Sequence, residues 1–244
     1  MDKIRILGVD FDNVTLEGAV RYVKDMLRNG TKGFIVTPNS EIVYECMKNK
    51  GLCEAIGDAS LVLPDGIGVI YASRIYKTPL KQKVAGIDFA SMLCESLKNM
   101  GYKLFLLGAK PGVAEKAAAF LKTKHPGLSV CGVRDGYFQS DGEALEAIRD
   151  SGADVVFVCL GSPKQERFMR AHLHESGAAL MVGLGGSLDV FAGEVQRAPD
   201  IFIRLGLEWF YRLIKEPKRI GRMMRLPLFL LAAAKNSLKG GADI

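Results

Sequence analysis

The chain predicts an α/β fold built on a mostly parallel sheet, and three observations carry that expectation. Short apolar runs rich in Val, Ile, Leu and Phe recur at 4–9, 34–37, 61–63, 104–107, 130–133, 155–160 and 180–182. They have the length of strands buried on both faces. Between them lie segments of helical period, roughly 15–29, 39–56, 66–77, 88–100, 112–124, 141–150 and 163–176, punctuated by residues such as Gly30, Gly101 and Pro126. A strand followed by a helix, repeated along the chain, yields a sheet covered on both faces. Nothing recurs at the 20–50-residue period of a solenoid. With 244 residues, 48% hydrophobic and 25% charged, the chain suits one large domain or a domain with an appendage, and excludes disorder, collagen and a disulfide miniprotein.

Charge divides the chain. Residues 1–200 hold 24 basic and 24 acidic side chains, whereas 201–244 hold 9 basic and 3 acidic, so the tail carries the whole net charge of +6. A neutral α/β body, 1–195, is therefore expected to bear a basic, apolar, helical appendage, 196–244. Met1 is followed at once by Asp2, Lys3 and Arg5, without the apolar core and cleavage site of a secretory signal. The five cysteines form no C-x-x-C pair and read as small buried hydrophobes in a reducing cytoplasm. The longest apolar run of the tail, 226–234, has nine residues, where a spanning helix needs about 20.

In such Rossmann-like sheets ligands bind beyond the carboxyl ends of the strands, so the loop after each strand is where chemistry is expected. Four loops stand out. In Thr37-Pro38-Asn39, Thr37 suits a helix N-cap with Pro38 at the first helical position, and the Asn39 amide suits a sugar or phosphate. Leu63-Pro64-Asp65-Gly66 places a carboxylate at the same edge, either as a turn or cap residue or as a general base. In Gly161-Ser162-Pro163-Lys164-Gln165, Ser162 and Gln165 match a capping box by pattern, while the helix start is also a ready anion site. Gly183-Leu184-Gly185-Gly186-Ser187-Leu188-Asp189 begins like the dinucleotide fingerprint but has Leu188 at the third glycine, which favours nucleotide binding without implying NAD. No Walker loop, nucleophile-elbow G-x-S-x-G or helical H-x-x-x-H pair occurs. The histidines read as surface residues, and Asp10-Phe11-Asp12 suits a turn better than a metal site.

The tail adds a second signal. If helical throughout, Arg212, Lys215, Arg219 and Arg222 fall within roughly 80° of arc. Ile201, Leu205, Trp209 and Leu213 form an apolar stripe continued through Met223 to Leu230, with Pro217 interrupting the helix. The alternatives are a solvated charged face over an ordinary core stripe, and a helix lying on an anionic membrane. Nucleic acid fits poorly, since the body is neutral and carries no reading motif.

Taken in series, Thr37-Pro38-Asn39, Pro64-Asp65-Gly66, Gly86-Ile87-Asp88, Leu160 through Glu166, Gly185 through Asp189, Gly193 with Arg197-Ala198-Pro199, and Gly206-Leu207-Glu208-Trp209 through Arg219 closely resemble the WecG/TagA/CpsF glycosyltransferases over nearly the whole chain. The resemblance implies an inverting enzyme without cofactor or metal. Within the family the chain looks most like the members that move N-acetylmannosamine from a UDP donor to N-acetylglucosamine on undecaprenyl diphosphate, in the linkage unit of wall teichoic acid. It further implies Asp65 as catalytic base and Thr37, Asn39 and Gln165 as pocket residues. Gly185, Gly186 and Asp189 are added as substrate-binding candidates from the glycine loop. Arg212, Arg219 and Arg222 are candidates for either the UDP leaving group or the lipid diphosphate. Lys83 stands where many members carry Arg. The expected place of work is the inner face of the cell membrane, with homo-oligomers an open possibility. Three alternatives stay open: the same family with another donor, such as N-acetylmannosaminuronate or a hexose; a nucleotide-dependent oxidoreductase; and a noncatalytic membrane-associated nucleotide-binding protein.

Overall fold

A computed structural model of the chain describes residues 2–215 and 220–238. In chain order the elements are β1 (Lys3–Ile6), β2 (Val9–Asp12), α1 (Leu16–Arg28), β3 (Gly33–Val36), α2 (Ser40–Cys46), α3 (Lys50–Gly57), β4 (Leu61–Val62), α4 (Ile67–Ile75), α5 (Gly86–Met100) and β5 (Lys103–Gly108). They continue as α6 (Val113–Lys124), β6 (Ser129–Arg134), α7 (Asp141–Ser151), β7 (Val155–Cys159), α8 (Lys164–His172), β8 (Leu180–Gly183), α9 (Ser187–Phe191), α10 (Asp200–Arg204), α11 (Glu208–Lys215), α12 (Ile220–Met223) and α13 (Arg225–Leu238).

Six strands form one parallel sheet in the order β4-β3-β8-β7-β5-β6. Their alternation decides the two core layers. Phe34, Val36, Phe105, Leu107, Val156, Val158 and Met181 point to one face, covered by α2, α3, α4, α7, α8 and α13. Ile35, Leu61, Leu104, Leu106, Val155, Phe157 and Val182 point to the other, covered by α1, α5, α6 and α9. The expected α/β sheet is therefore present.

Two local expectations differ. The run 4–9 is not a strand of the main sheet: it breaks at Leu7 (φ 46) and Gly8 (φ 85), and β1 pairs antiparallel with β2 in a separate hairpin. Two successive left-handed residues make the tight turn whose twist matches antiparallel strands. The segment 39–56 is two helices, because Asn49 starts a new one by accepting from the Leu52 N–H through Oδ1 at 3.1 Å.

Asp12 from the hairpin is 3% exposed, and its Oδ2 accepts from the Val62 N–H at 2.8 Å, satisfying a backbone donor of the edge strand β4. Asp10 pairs with Arg5 at 3.5 Å on the surface. Cys46, Cys94 and Cys159 are buried and all five thiols are free; burial pushes each of these three up to about 12. His125 departs from the expected surface position: it is 5% exposed, its Nδ1 2.9 Å from Glu95.

The described part of the tail is joined to the body. In α13, Phe229 and Ala233 are fully buried in the first core layer, where the helix packs on α2 and α4. Its end is tied by Asn236 Oδ1 accepting from the Tyr76 hydroxyl at 2.8 Å, and its start by Arg225 beside Glu41 and Glu45. Elsewhere in the tail large apolar side chains are open to solvent, with Leu205, Ile214, Leu228 and Leu231 exposed. Among the described residues, no helix is long and apolar enough to cross a membrane.

Candidate functional site

Strands β3 and β7 lead into α2 and α8 on one face of the sheet, while β8 between them leads into α9 on the other. Neighbouring chains thus diverge around the carboxyl end of β8, the point at which sheets of this kind open a ligand crevice. The four loops singled out in the sequence follow β4, β3, β8 and β7, four adjacent strands. Strand order gathers them along one stretch of the sheet edge.

Thr37 does not cap a helix. It is 6% exposed, and its Oγ1 donates to the Gly183 carbonyl at 2.9 Å, tying β3 to the end of β8. The cap is Asn39, whose Oδ1 accepts from the Glu41 and Ile42 N–H groups at 2.9 and 3.1 Å. Since α2 starts at Ser40, a Thr37 cap would stand outside its first turn. The cap occupies the oxygen of the Asn39 amide.

Asp65 is not the N-cap residue of α4, a place taken by Gly66. Gly66 opens α4 with φ 84, a conformation that favours glycine. The Asp65 N–H donates to the Pro38 carbonyl at 3.4 Å, and its Oδ2 accepts from the Gly86 N–H at 3.5 Å. The Val84 N–H donates to the Pro64 carbonyl at 2.9 Å, so the segment 84–86 runs beside the carboxylate. A Cβ on Gly86 would come within 3.2 Å of Thr37 Oγ1 and 3.5 Å of Leu184. Glycine there lets Thr37, Asp65 and the loop after β8 draw together.

The capping box expected of Ser162 and Gln165 is absent. Pro163 is the residue before α8, so Ser162 lies one position too early to cap it. Gln165 is instead 2% exposed; its Oε1 accepts from the Gly185 N–H and its Nε2 donates to Glu166 Oε1, both at 2.9 Å. The Gly185 N–H, an expected phosphate contact, is therefore bonded to protein. Gly185 has φ 54 and Gly186 precedes α9. Half-buried Asp189 accepts through its backbone carbonyl from the Glu194 and Val195 N–H groups, at 2.9 and 3.1 Å.

Tail segments close around the same edge. Lys83 Nζ meets Glu208 Oε2 at 2.6 Å, with the two side chains 19% and 21% exposed. Arg197 meets Asp88 at 2.7 Å. A Cβ on Gly206 would stand 2.8 Å from Ile67, and one on Gly68 would stand 2.5 Å from Leu226. The start of α4, directly after Asp65, is thus held between two separated parts of the tail. Arg219 lies outside the described residues, as do the side chains of Arg212 in α11 and Arg222 in α12. Among the described residues, no group of three or more potential metal ligands occurs.

Sequence reasoning gave Glu166 and Glu208 no role of their own. Glu166 had a signal: α8 buries 165, 166, 168 and 169, and helical spacing aligns the first two with Phe168 and Met169. Gly183, read as the first glycine of the loop after β8, is also required by packing, since a Cβ there would meet the Met169 and Gln165 side chains at 2.8 and 3.2 Å.

The profile of the WecG/TagA/CpsF glycosyl transferase family matches residues 4–242. A protein of Bacillus spizizenii named N-acetylglucosaminyldiphosphoundecaprenol N-acetyl-beta-D-mannosaminyltransferase is 38% identical over 229 residues, 93% of this chain and 89% of its own. A protein of the same name from Staphylococcus aureus strain MW2 is 38% identical over 243 residues, 97% of this chain and 95% of its own.

Proposed function

The chain belongs to the WecG/TagA/CpsF glycosyltransferase family, and from that premise we propose that it transfers N-acetylmannosamine from its UDP donor to N-acetylglucosamine on undecaprenyl diphosphate, with inversion and with Asp65 as general base. The observation that carries the reading is the setting of Asp65: a carboxylate at the carboxyl end of β4, bonded to Gly86 and neighboured by Thr37 at the crevice around β8.

The chemistry follows from that setting. The acceptor hydroxyl attacks the anomeric carbon from the face opposite UDP, and its proton passes to an Asp65 oxygen as the bond forms. The bond to the diphosphate breaks in the same step, and the negative charge growing on UDP needs donors. Asn39 Nδ2 and the start of α8 serve the sugar or phosphates, while Arg212, Arg219 and Arg222 serve a diphosphate, that of UDP or of the lipid. Gly185, Gly186, Gln165 and Asp189 shape the nucleotide end.

A lipid-linked acceptor puts the reaction at a membrane surface. The exposed apolar side chains of the tail, such as Leu205, Ile214, Leu228 and Leu231, and the net positive charge of 201–244 support docking on the inner leaflet of the cell membrane. The proposed division of labour is a sugar-nucleotide body, 1–195, and a tail, 196–244, that meets membrane and diphosphate. The test is incubation of the full chain with a panel of UDP-sugars and a short-chain N-acetylglucosaminyl diphospholipid, followed by mass measurement of the product. The expected product gains one N-acetylhexosamine from UDP-N-acetylmannosamine alone. Transfer from a different donor would reassign the substrate, and UDP binding without transfer from any donor would overturn the enzymatic reading.

A further inference from the structure

Gln165 and Glu166 are adjacent polar residues at the start of α8, and they are only 2% and 1% exposed. Both ends of the Gln165 amide are engaged, the oxygen by the Gly185 N–H and the nitrogen by Glu166 Oε1. An amide has nearly the same shape either way round but opposite chemistry, so turning it over would set its N–H groups against the Gly185 N–H. The acceptor on Glu166 selects the orientation that bonds Gly185. The other Glu166 oxygen, Oε2, is buried with no hydrogen-bond partner among the described residues, while the Ser162 hydroxyl and the Glu166 N–H stand near enough to the carboxyl to favour its charged form.

We propose that Glu166 is a positioning residue for the transfer: acting through the Gln165 amide, it holds the loop after β8 against the loop after β7 and so sets the crevice that receives the UDP-sugar. The proposal rests on the reading of that crevice as the donor site. Burial raises the Glu166 carboxyl above its ordinary value, opposed by the Gln165 amide, the Glu166 N–H and the Ser162 hydroxyl. Cys46 of α2 is close enough for its thiol to be raised partly by Glu166, and with a value of about 12 it stays neutral at working pH. On α3, Glu54 and Asp58 are taken up by Arg170. Ionised or neutral, the carboxyl offers an oxygen to Gln165, and a glutamine side chain could do the same.

The test uses the full-length chain with Glu166→Gln and Glu166→Leu, reading kcat, KM for the UDP-sugar, UDP affinity by calorimetry, and a pH profile. Glu166→Gln should keep kcat/KM and UDP affinity within about threefold of the parent, because the acceptor is retained. Glu166→Leu should lower both by roughly 10- to 100-fold, since the Gln165 nitrogen is left buried without an acceptor. Because an ionised and a neutral carboxyl both accept from Gln165, the alkaline limb of the pH profile should be the same in the parent and in Glu166→Gln. Unchanged affinity and kcat/KM in Glu166→Leu, or a fall in Glu166→Gln as deep as in Glu166→Leu, would overturn the proposal. Should Glu166→Leu fail to fold, Glu166→Met is read in its place, and unchanged UDP affinity and kcat/KM there overturn the proposal. UDP affinity is read without transfer, so absence of transfer by the parent strikes the donor-site reading separately.

Discussion

The Lys83 ammonium and the Glu208 carboxylate meet at 2.6 Å, fastening the start of α11 to the segment that runs beside Asp65. An ammonium engaged in this way ties the tail to the body. The same contact explains how a lysine suffices at this position: a point charge can hold one carboxylate, whereas a bidentate fork is needed chiefly for planar recognition of two oxygens.

Exchanging the two charges tests this fastening. Lys83→Glu and Glu208→Lys each place like charges together and should loosen the tail, seen as faster proteolysis after residue 196 and lower transfer. The double exchange should recover part of the loss, with a coupling of about 1 kcal/mol in thermal unfolding. Independent, additive effects would show that the pair does no fastening.

Asp65→Asn keeps the size of the side chain and an oxygen for the Gly86 N–H, but removes the basic carboxylate. Turnover should fall by roughly 10²–10⁴ with UDP binding retained. Near-normal turnover would assign the proton to another group.

Thr37→Val removes the donor to the Gly183 carbonyl in a buried setting, at a cost of about 1–3 kcal/mol. Each kcal/mol corresponds to roughly 2–4 °C in Tm for a chain of this size. Thr37→Ser should keep the bond and lose much less. Equal losses in the two variants would mean that the methyl, and not the hydroxyl, matters.

Two residues of α13 separate core from surface. Phe229 is fully buried and Leu231 is 67% exposed. Phe229→Ala should destabilise by about 3–5 kcal/mol, whereas Leu231→Ser should change stability by no more than about 0.5 kcal/mol and weaken co-sedimentation with anionic vesicles. Unchanged vesicle binding would remove this face from the membrane reading. Deleting 196–244 is a less clean test of the tail's role, because it also strips Phe229 and Ala233 from the core.

Much of the site was legible in the loops themselves. Asp65 and Gln165 stood out as polar residues in loops that follow apolar runs, and their strands, β4 and β7, proved to bound one run of four neighbouring strands. The errors were all in what those side chains bond to. Thr37 and Ser162 looked like caps because serine and threonine before a proline are good local helix starts. Thr37 instead bonds Gly183, 146 positions away in the chain, and Gln165 bonds Gly185, 20 away. No local pattern distinguishes a hydroxyl that caps its own helix from one that reaches a neighbouring strand.

By itself, then, the sequence determined the alternation of strand and helix, the division of charge at residue 200 and the loops that carry polar chemistry, because periodicity, composition and turn residues act over a few positions. Strand order was decided only in the tertiary structure, since any of several sheet arrangements satisfies the same local patterns. That order put β8 between β3 and β7, turned Gly183 and Gly185 into partners for Thr37 and Gln165, and buried Glu166 behind them. It also decided that the basic tail rests one side of α13 on the body's core and leaves the other side open. The physical reason is common to all of these: hydrogen bonds and burial between distant segments are set by packing, which depends on the whole chain at once.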